Sequence, residues 1–237
     1  MKNSISKNNL ALAIDNVDTI EQITTLVEQT AESIGIFKIG FEQFVRFGPD
    51  VVNKVADTGV RIFLDMKLHD IPNTVAKAVI SAAEHKVDYL TIHTMGGLAM
   101  MKAAADAAKK CAKPPKLLGV TILTSIDKAT LNNELKVTGS VEEQVLHLAM
   151  LAVAAGLDGI VCSAADLPSV KPSLPEGFDV VTPGIRPAGT DAGDQKRVAT
   201  PSDAINNGAT ILVLGRAVTE SPSPRATAKE ILASITV

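Results

Sequence analysis

Residues 63–75 read FLDMKLHDIPNTV, and a stretch of six positions holds Asp65, Lys67, His69 and Asp70. Carboxylates and an ammonium at this spacing suit electrostatic and proton-transfer chemistry. An ammonium held by a carboxylate can stabilise negative charge developing in a transition state and then deliver a proton. Side chains two apart on a strand share a face, so Asp65 and Lys67 are expected to point the same way, about 6–7 Å apart along the strand. The apolar half of the segment predicts that strand, with charge beginning where it ends.

The pattern recurs along the chain. Apolar runs lie at 10–15, 35–40, 61–67, 88–93, 117–123, 159–163, 179–184 and 211–216. The last polar residues of these runs are Asp15, Lys38, Asp65 with Lys67, His93, Thr124 with Ser125, Ser163, Thr182 and Arg216. The first three runs therefore end in Asp, Lys, Asp and Lys. A buried ion-pair network is the bland alternative. Burying ions costs several kcal/mol each, so four charges on three successive run ends favour a site over a structural plug. The last run, ILVLGRAV, supplies a different chemistry. Gly215 lets an anion approach the backbone and Arg216 can bind it bidentately, the requirements of a phosphate site. His93 is read as a satisfied structural histidine. His69 shares the parity of Asp65 and Lys67 only if the strand continues that far, and it is given no role.

These groups need a scaffold that brings run ends together. Most of the runs are continuously apolar and rich in Val and Ile, the pattern of strands buried on both faces of a parallel sheet. Helical-period, alanine-rich segments separate them, at 18–34, 72–86, 96–112, 140–155 and 201–208. Asp18 with Glu21, and Ser140 with Glu143, have capping-box spacing. Pro72 and Pro201 suit first helical positions. Eight βα units of roughly 30 residues predict a closed α/β fold, a (β/α)8 TIM barrel, as one catalytic domain over residues 1–237. An open doubly wound sheet is disfavoured because no G-x-G-x-x-G follows the first run. Two longer excursions, 125–139 and 184–200, read as lid or binding loops.

Composition narrows the function. The chain has 237 residues, a net charge of −3 and no basic run, so nucleic-acid binding is not expected. The N-terminus carries no signal-peptide pattern. The most apolar window, 146–165, is broken by Gly156 and Asp158 and reads as helix, turn and strand, so no membrane association is expected. Cys111 and Cys162 show no metal-site or disulfide spacing and read as free thiols in a reducing cytoplasm.

The element Asp65-x-Lys67-x-x-Asp70-Ile71-Pro72-Asn-Thr resembles the signature of the orotidine 5′-phosphate decarboxylase family. ALAID ending in Asp15, FKIG with Lys38, TIHTMGG, GVTILTS, TPGIRPAGTDAGDQKRVATP and LVLGRAVTESPSP extend the resemblance along nearly the whole chain, toward its bacterial branch. Ile14 is a small departure, where Leu is commoner.

The resemblance implies conversion of orotidine 5′-monophosphate to UMP, the last step of de novo pyrimidine synthesis, with no metal and no cofactor. It implies a homodimer with active sites at the subunit interface, where Asp70 and Ile71 serve the partner's site. Lys67 would protonate C6, with Asp65, Asp70 and Lys38 completing the charge array. Asp65 would lie near the substrate carboxylate, and also hold Lys67 in position. Asp15 and Lys38 would reach ribose hydroxyls, and Thr124 or Ser125 the pyrimidine edge. Gln195, Gly215 and Arg216 would hold phosphate, and Arg186 is a further substrate-binding candidate. Pro183 and Ile185 would shape the pocket near the departing carboxylate. A metal-dependent relative acting on a sugar phosphate, and a silent nucleotide-binding barrel, are the alternatives.

Overall fold

A computed structural model describes residues 5–186 and 199–235. Eight parallel strands close into a barrel in sequence order. They are β1 (Leu10–Ala13), β2 (Ile36–Ile39), β3 (Arg61–Leu68), β4 (Tyr89–His93), β5 (Lys116–Val120), β6 (Gly159–Val161), β7 (Asp179–Thr182) and β8 (Ile211–Leu214). β1 pairs with β8, which closes the cylinder. Each strand matches one apolar run, and most are trimmed at their ends. The expected (β/α)8 architecture is present.

Two apolar layers hold it together. Ala11, Ala13, Ile36, Phe63, Leu118, Val181 and Val213 fill the barrel interior. A larger cluster, including Leu12, Phe37, Ile62, Leu90 and Ile160, packs the outer strand faces against helices. Both faces of each strand are therefore dry, which is why the runs are continuous rather than alternating. The inward parity fixed by Ala13, Ile36, Phe63 and Val213 extends to Asp15, Lys38, Asp65 and Gly215 at the C-terminal ends.

Ten α-helices are present among the described residues. Those expected from periodicity are α1 (Ile20–Thr30), α4 (Pro72–Ala83), α5 (Gly97–Ala108), α6 (Val141–Ala155) and α8 (Pro201–Asn206). The Ser140 capping box is formed, with Glu143 Oε2 accepting from Ser140 N at 2.7 Å. The box on α1 uses Thr19 and Gln22, not Asp18 and Glu21. Thr19 has the extended backbone an N-cap needs, and Asp18 is drawn to Arg46 at 2.7 Å instead. Sequence reading did not find α2 (Phe41–Phe47) and α3 (Pro49–Ala56), split by Gly48 at φ 62°, nor α7 (Leu167–Val170), α9 (Arg216–Thr219) and α10 (Pro224–Ser234). The first excursion contains one wide helical turn, Thr130–Glu134, pinned by fully buried Leu131. No helix among the described residues is long and apolar enough to cross a membrane.

Candidate active site

β3 departs from regular pairing where the charges begin. Leu64 faces Leu90 and Leu68 faces Ile92, so four steps on β3 oppose two on β4. The irregularity gathers at Lys67, whose φ is +45°, a left-handed conformation unusual for a residue other than glycine. Its amide leaves the ladder and donates to Thr91 Oγ1 at 2.8 Å. Such bulges re-aim side chains next to functional sites, and the strain is held by the surroundings. Lys67 Nζ stands 2.8 Å from Asp65 Oδ2.

Asp65 is the hub. It is buried, and Lys38 Nζ stands 3.4 Å from the same Oδ2. Thr91 Oγ1 donates to Asp65 Oδ1 at 2.9 Å. Lys38 also reaches Asp15 Oδ1 at 3.8 Å, giving a chain Asp15–Lys38–Asp65–Lys67 across three strands. Burial alone would push the Asp65 carboxyl up. The ammonium groups of Lys38 and Lys67, with hydrogen bonds from Lys67 and Thr91, outweigh that and hold it below the ordinary carboxylate value. A methyl group at Gly40 would stand 3.3 Å from Lys38 Nζ and 3.4 Å from Asp15 Oδ1, so glycine keeps the pair uncrowded.

These groups line one cavity of about 480 Å³ at the C-terminal mouth. Its wall includes Asp15, Lys38, Asp65, Lys67, Thr124, Pro183, Ile185, Arg186, Gly215 and Arg216. Thr124 is in the wall and Ser125 is not. A methyl at Gly215 would meet no protein atom within 4 Å, so the backbone there faces open space. The stems of the second excursion are joined: Arg186 N–H donates to Ala199 O at 3.0 Å, beside an Ile185–Ala199 bridge. Gln195 lies outside the described residues. Asp70 and Ile71 stand exposed just before α4, outside this wall, and Ile71 is 67% exposed.

The structure adds residues the sequence reading passed over. Thr91 is fully buried and bonds both Asp65 and Lys67. Its signal was a hydroxyl in the otherwise dry run DYLTIH, but threonine is common in strands. Asn16, at φ 59°, also lines the cavity. β3 ends at Leu68, so His69 lies beyond the strand and stacks its ring 5.4 Å from that of His93. His93 is not satisfied as expected, because its Nδ1 is buried without a hydrogen-bond partner among the described residues.

Fold and site together define a (β/α)8 barrel of the enzyme type, with its polar chemistry at the C-terminal mouth. The Orotidine 5'-phosphate decarboxylase / HUMPS family model matches residues 8–231. The chain belongs to that family. It is 50% identical over 218 residues to an orotidine 5'-phosphate decarboxylase from Idiomarina loihiensis, covering 92% of this chain and 94% of that one. It is 45% identical over 231 residues to the enzyme of that name from Nitrosococcus oceani, covering 98% and 99%. Among solved structures, the Lactobacillus acidophilus orotidine 5'-phosphate decarboxylase superimposes with a TM-score of 0.85 at 33% identity, over 99% of this chain and all of that one.

Proposed function

We propose that this chain decarboxylates orotidine 5′-monophosphate to UMP without metal or cofactor, in pyrimidine nucleotide synthesis. The observation that carries the reading is the Asp15–Lys38–Asp65–Lys67 array at the mouth of a barrel of this family. The C6–carboxylate bond breaks, CO2 leaves, and the electron pair stays in an sp² orbital on C6. The ring offers no ordinary resonance sink, so fixed charge must supply the stabilisation. The Lys67 ammonium stands beside C6 and donates the proton that replaces CO2. Asp65 fixes Lys67, and in the bound state it lies near the substrate carboxylate.

Asp15 and Lys38 hold ribose hydroxyls, and Thr124 holds the pyrimidine edge. Gly215, Arg216 and Gln195 bind phosphate, Arg186 is a further substrate-binding residue, and Pro183 and Ile185 shape the apolar wall. Binding energy from the remote phosphate helps orient the reacting end, so its loss lowers turnover as well as affinity. Residues 1–237 act as one catalytic domain in the cytoplasm. The working unit is a homodimer, with Asp70 and Ile71 reaching the partner's cavity. Their exposed position outside their own cavity wall supports that arrangement. A metal-dependent reading lacks a ligand set among the described residues, where no cluster of three or more His, Cys, Asp or Glu side chains forms.

The test mixes purified protein with orotidine 5′-monophosphate in excess EDTA and follows ultraviolet absorbance. Turnover is expected. No turnover defeats the proposal, and turnover only on adding metal favours the metal-dependent alternative.

A further inference from the structure

His93 closes β4 at the inward parity of Tyr89 and Thr91. Thr91 is the residue that bonds Asp65 and the Lys67 backbone, so His93 sits one inward position above the hub of the array. Its register partner on β5 is Val120, which is apolar and buried. Among the described residues, the titratable and charged groups that act on it come from β3 and the residue just past it: His69, Lys67 and Asp65. The His69 and His93 rings are 5.4 Å apart and tilted by 39°. Nδ1 of His93 is buried and makes no hydrogen bond among the described residues. An orphaned ring nitrogen beside a charge array calls for an explanation beyond packing, because leaving a buried polar atom unpaired is costly.

We propose that His93 is a positioning residue for Lys67: its neutral ring borders the array on the β4 side, and its protonation sets the acid limit of turnover. The inference rests on the decarboxylase reading above. Asp65 already serves two ammonium groups, from Lys38 and Lys67. A protonated His93 is a third cation at the same hub. It repels Lys67 and competes with it for Asp65, so the proton donor loses its fixed place. Burial, then His69 and Lys67, push the His93 ionisation below its usual value, against the pull of Asp65. The neutral ring is thereby kept through the neutral pH range.

The experiment measures kcat at saturating substrate against pH, which separates the ring from the substrate phosphate, whose ionisation enters through binding. In the wild type kcat falls about tenfold per pH unit below the His93 ionisation, the slope of one protonation. His93→Asn, neutral at every pH, moves that limb to lower pH. His69→Asn removes a neighbour that opposes protonation, so it moves the limb to higher pH. Ring signals of the four histidines, followed by NMR, place the His93 ionisation at the pH of the limb. An unmoved limb in His93→Asn overturns the proposal, as does a His93 titration that does not coincide with the limb. If His93→Asn does not fold, His69→Asn and the wild-type NMR titration decide. A wild type inactive at neutral pH breaks the decarboxylase reading itself; normal turnover with an unmoved limb breaks only the role of His93.

Discussion

Both ends of the barrel are charged, but the charges are spent differently. At the N-terminal end, Arg61, Tyr89, Lys116 and Asp179 point inward from four strands. Arg61 Nη1 donates to Tyr89 Oη at 3.0 Å, and Nη2 donates to Asn8 O at 3.1 Å and Asn8 Oδ1 at 3.0 Å. Lys116 Nζ holds Asp179 Oδ2 at 2.7 Å. Both cations also lie near the Tyr89 ring face, at 5.7 and 5.9 Å. The guanidinium and the ammonium thus have short contacts within the protein. At the C-terminal end one carboxylate is divided between two ammonium groups, and Lys38 sits at the looser distances of 3.4 and 3.8 Å from its two partners. Lys67 reaches its place through a left-handed backbone. One end pairs its cations at short range around Tyr89; the other leaves Lys38 at looser distances from two carboxylates. That asymmetry is what the barrel architecture leads one to expect, with stability at one face and chemistry at the other.

The comparison can be broken by moving charges at either end. Asp65→Ala should give the largest effect. It leaves two ammonium groups facing each other in a mostly buried site, a loss of about 3–5 kcal/mol for breaking a buried pair, together with loss of turnover. Denaturant unfolding and the decarboxylation assay check both halves. Thr91→Val keeps the shape but removes the hydroxyl that joins Asp65 to the Lys67 amide. It should cost about 1–3 kcal/mol and lower kcat more than it raises KM. An unchanged kcat removes Thr91 from the site.

Arg61→Ala should lower stability by about 0.5–1.5 kcal/mol for a typical lost hydrogen bond, and leave kcat per folded molecule unchanged. A kcat loss comparable to that of Thr91→Val would mean the two ends are not separate.

The smallest effects concern pH, and the two ends respond to opposite extremes. The Asp65 carboxyl is lowered, so its contribution is present above its unfolded value near 3.8 and is lost as pH falls through the folded value. Burial raises the Tyr89 phenol, and the Asp179 hydrogen bond raises Lys116. Their contributions are present below the unfolded values, 10.0 and 10.5, and are lost as pH rises through the folded ones. Tyr89 is the only tyrosine and tryptophan is absent, so phenolate absorbance reports the N-terminal end alone. Its titration should be displaced above 10.0 in the folded protein, and an undisplaced titration would contradict the burial of the phenol there.

What was legible in the sequence follows from these forces. Strands dry on both faces make continuous apolar runs, so all eight were visible. Asp15, Lys38, Asp65 and Lys67 were visible because a charge at the end of such a run has no packing reason to be there. Thr91 was hidden because a hydroxyl in a strand is ordinary until its partners are known. The backbone at Lys67 was hidden because neither glycine nor asparagine marks the left-handed turn. The helices α2 and α3 were missed because each is short and their periodicity is interrupted at Gly48. The cap of α1 slipped by one residue, from Asp18 to Thr19, because several side chains there can cap and a distant arginine, Arg46, claimed the aspartate.

The central claim, that charge at the C-terminal mouth performs the reaction, rests most heavily on Lys67. Its most direct test is the decarboxylation rate of Lys67→Ala in excess EDTA, at a folded fraction matched to the wild type. A loss of at least about 10²–10⁴-fold, the share of a positioned general acid, is expected. A near-normal rate would contradict the assignment and take the chemistry away from the array.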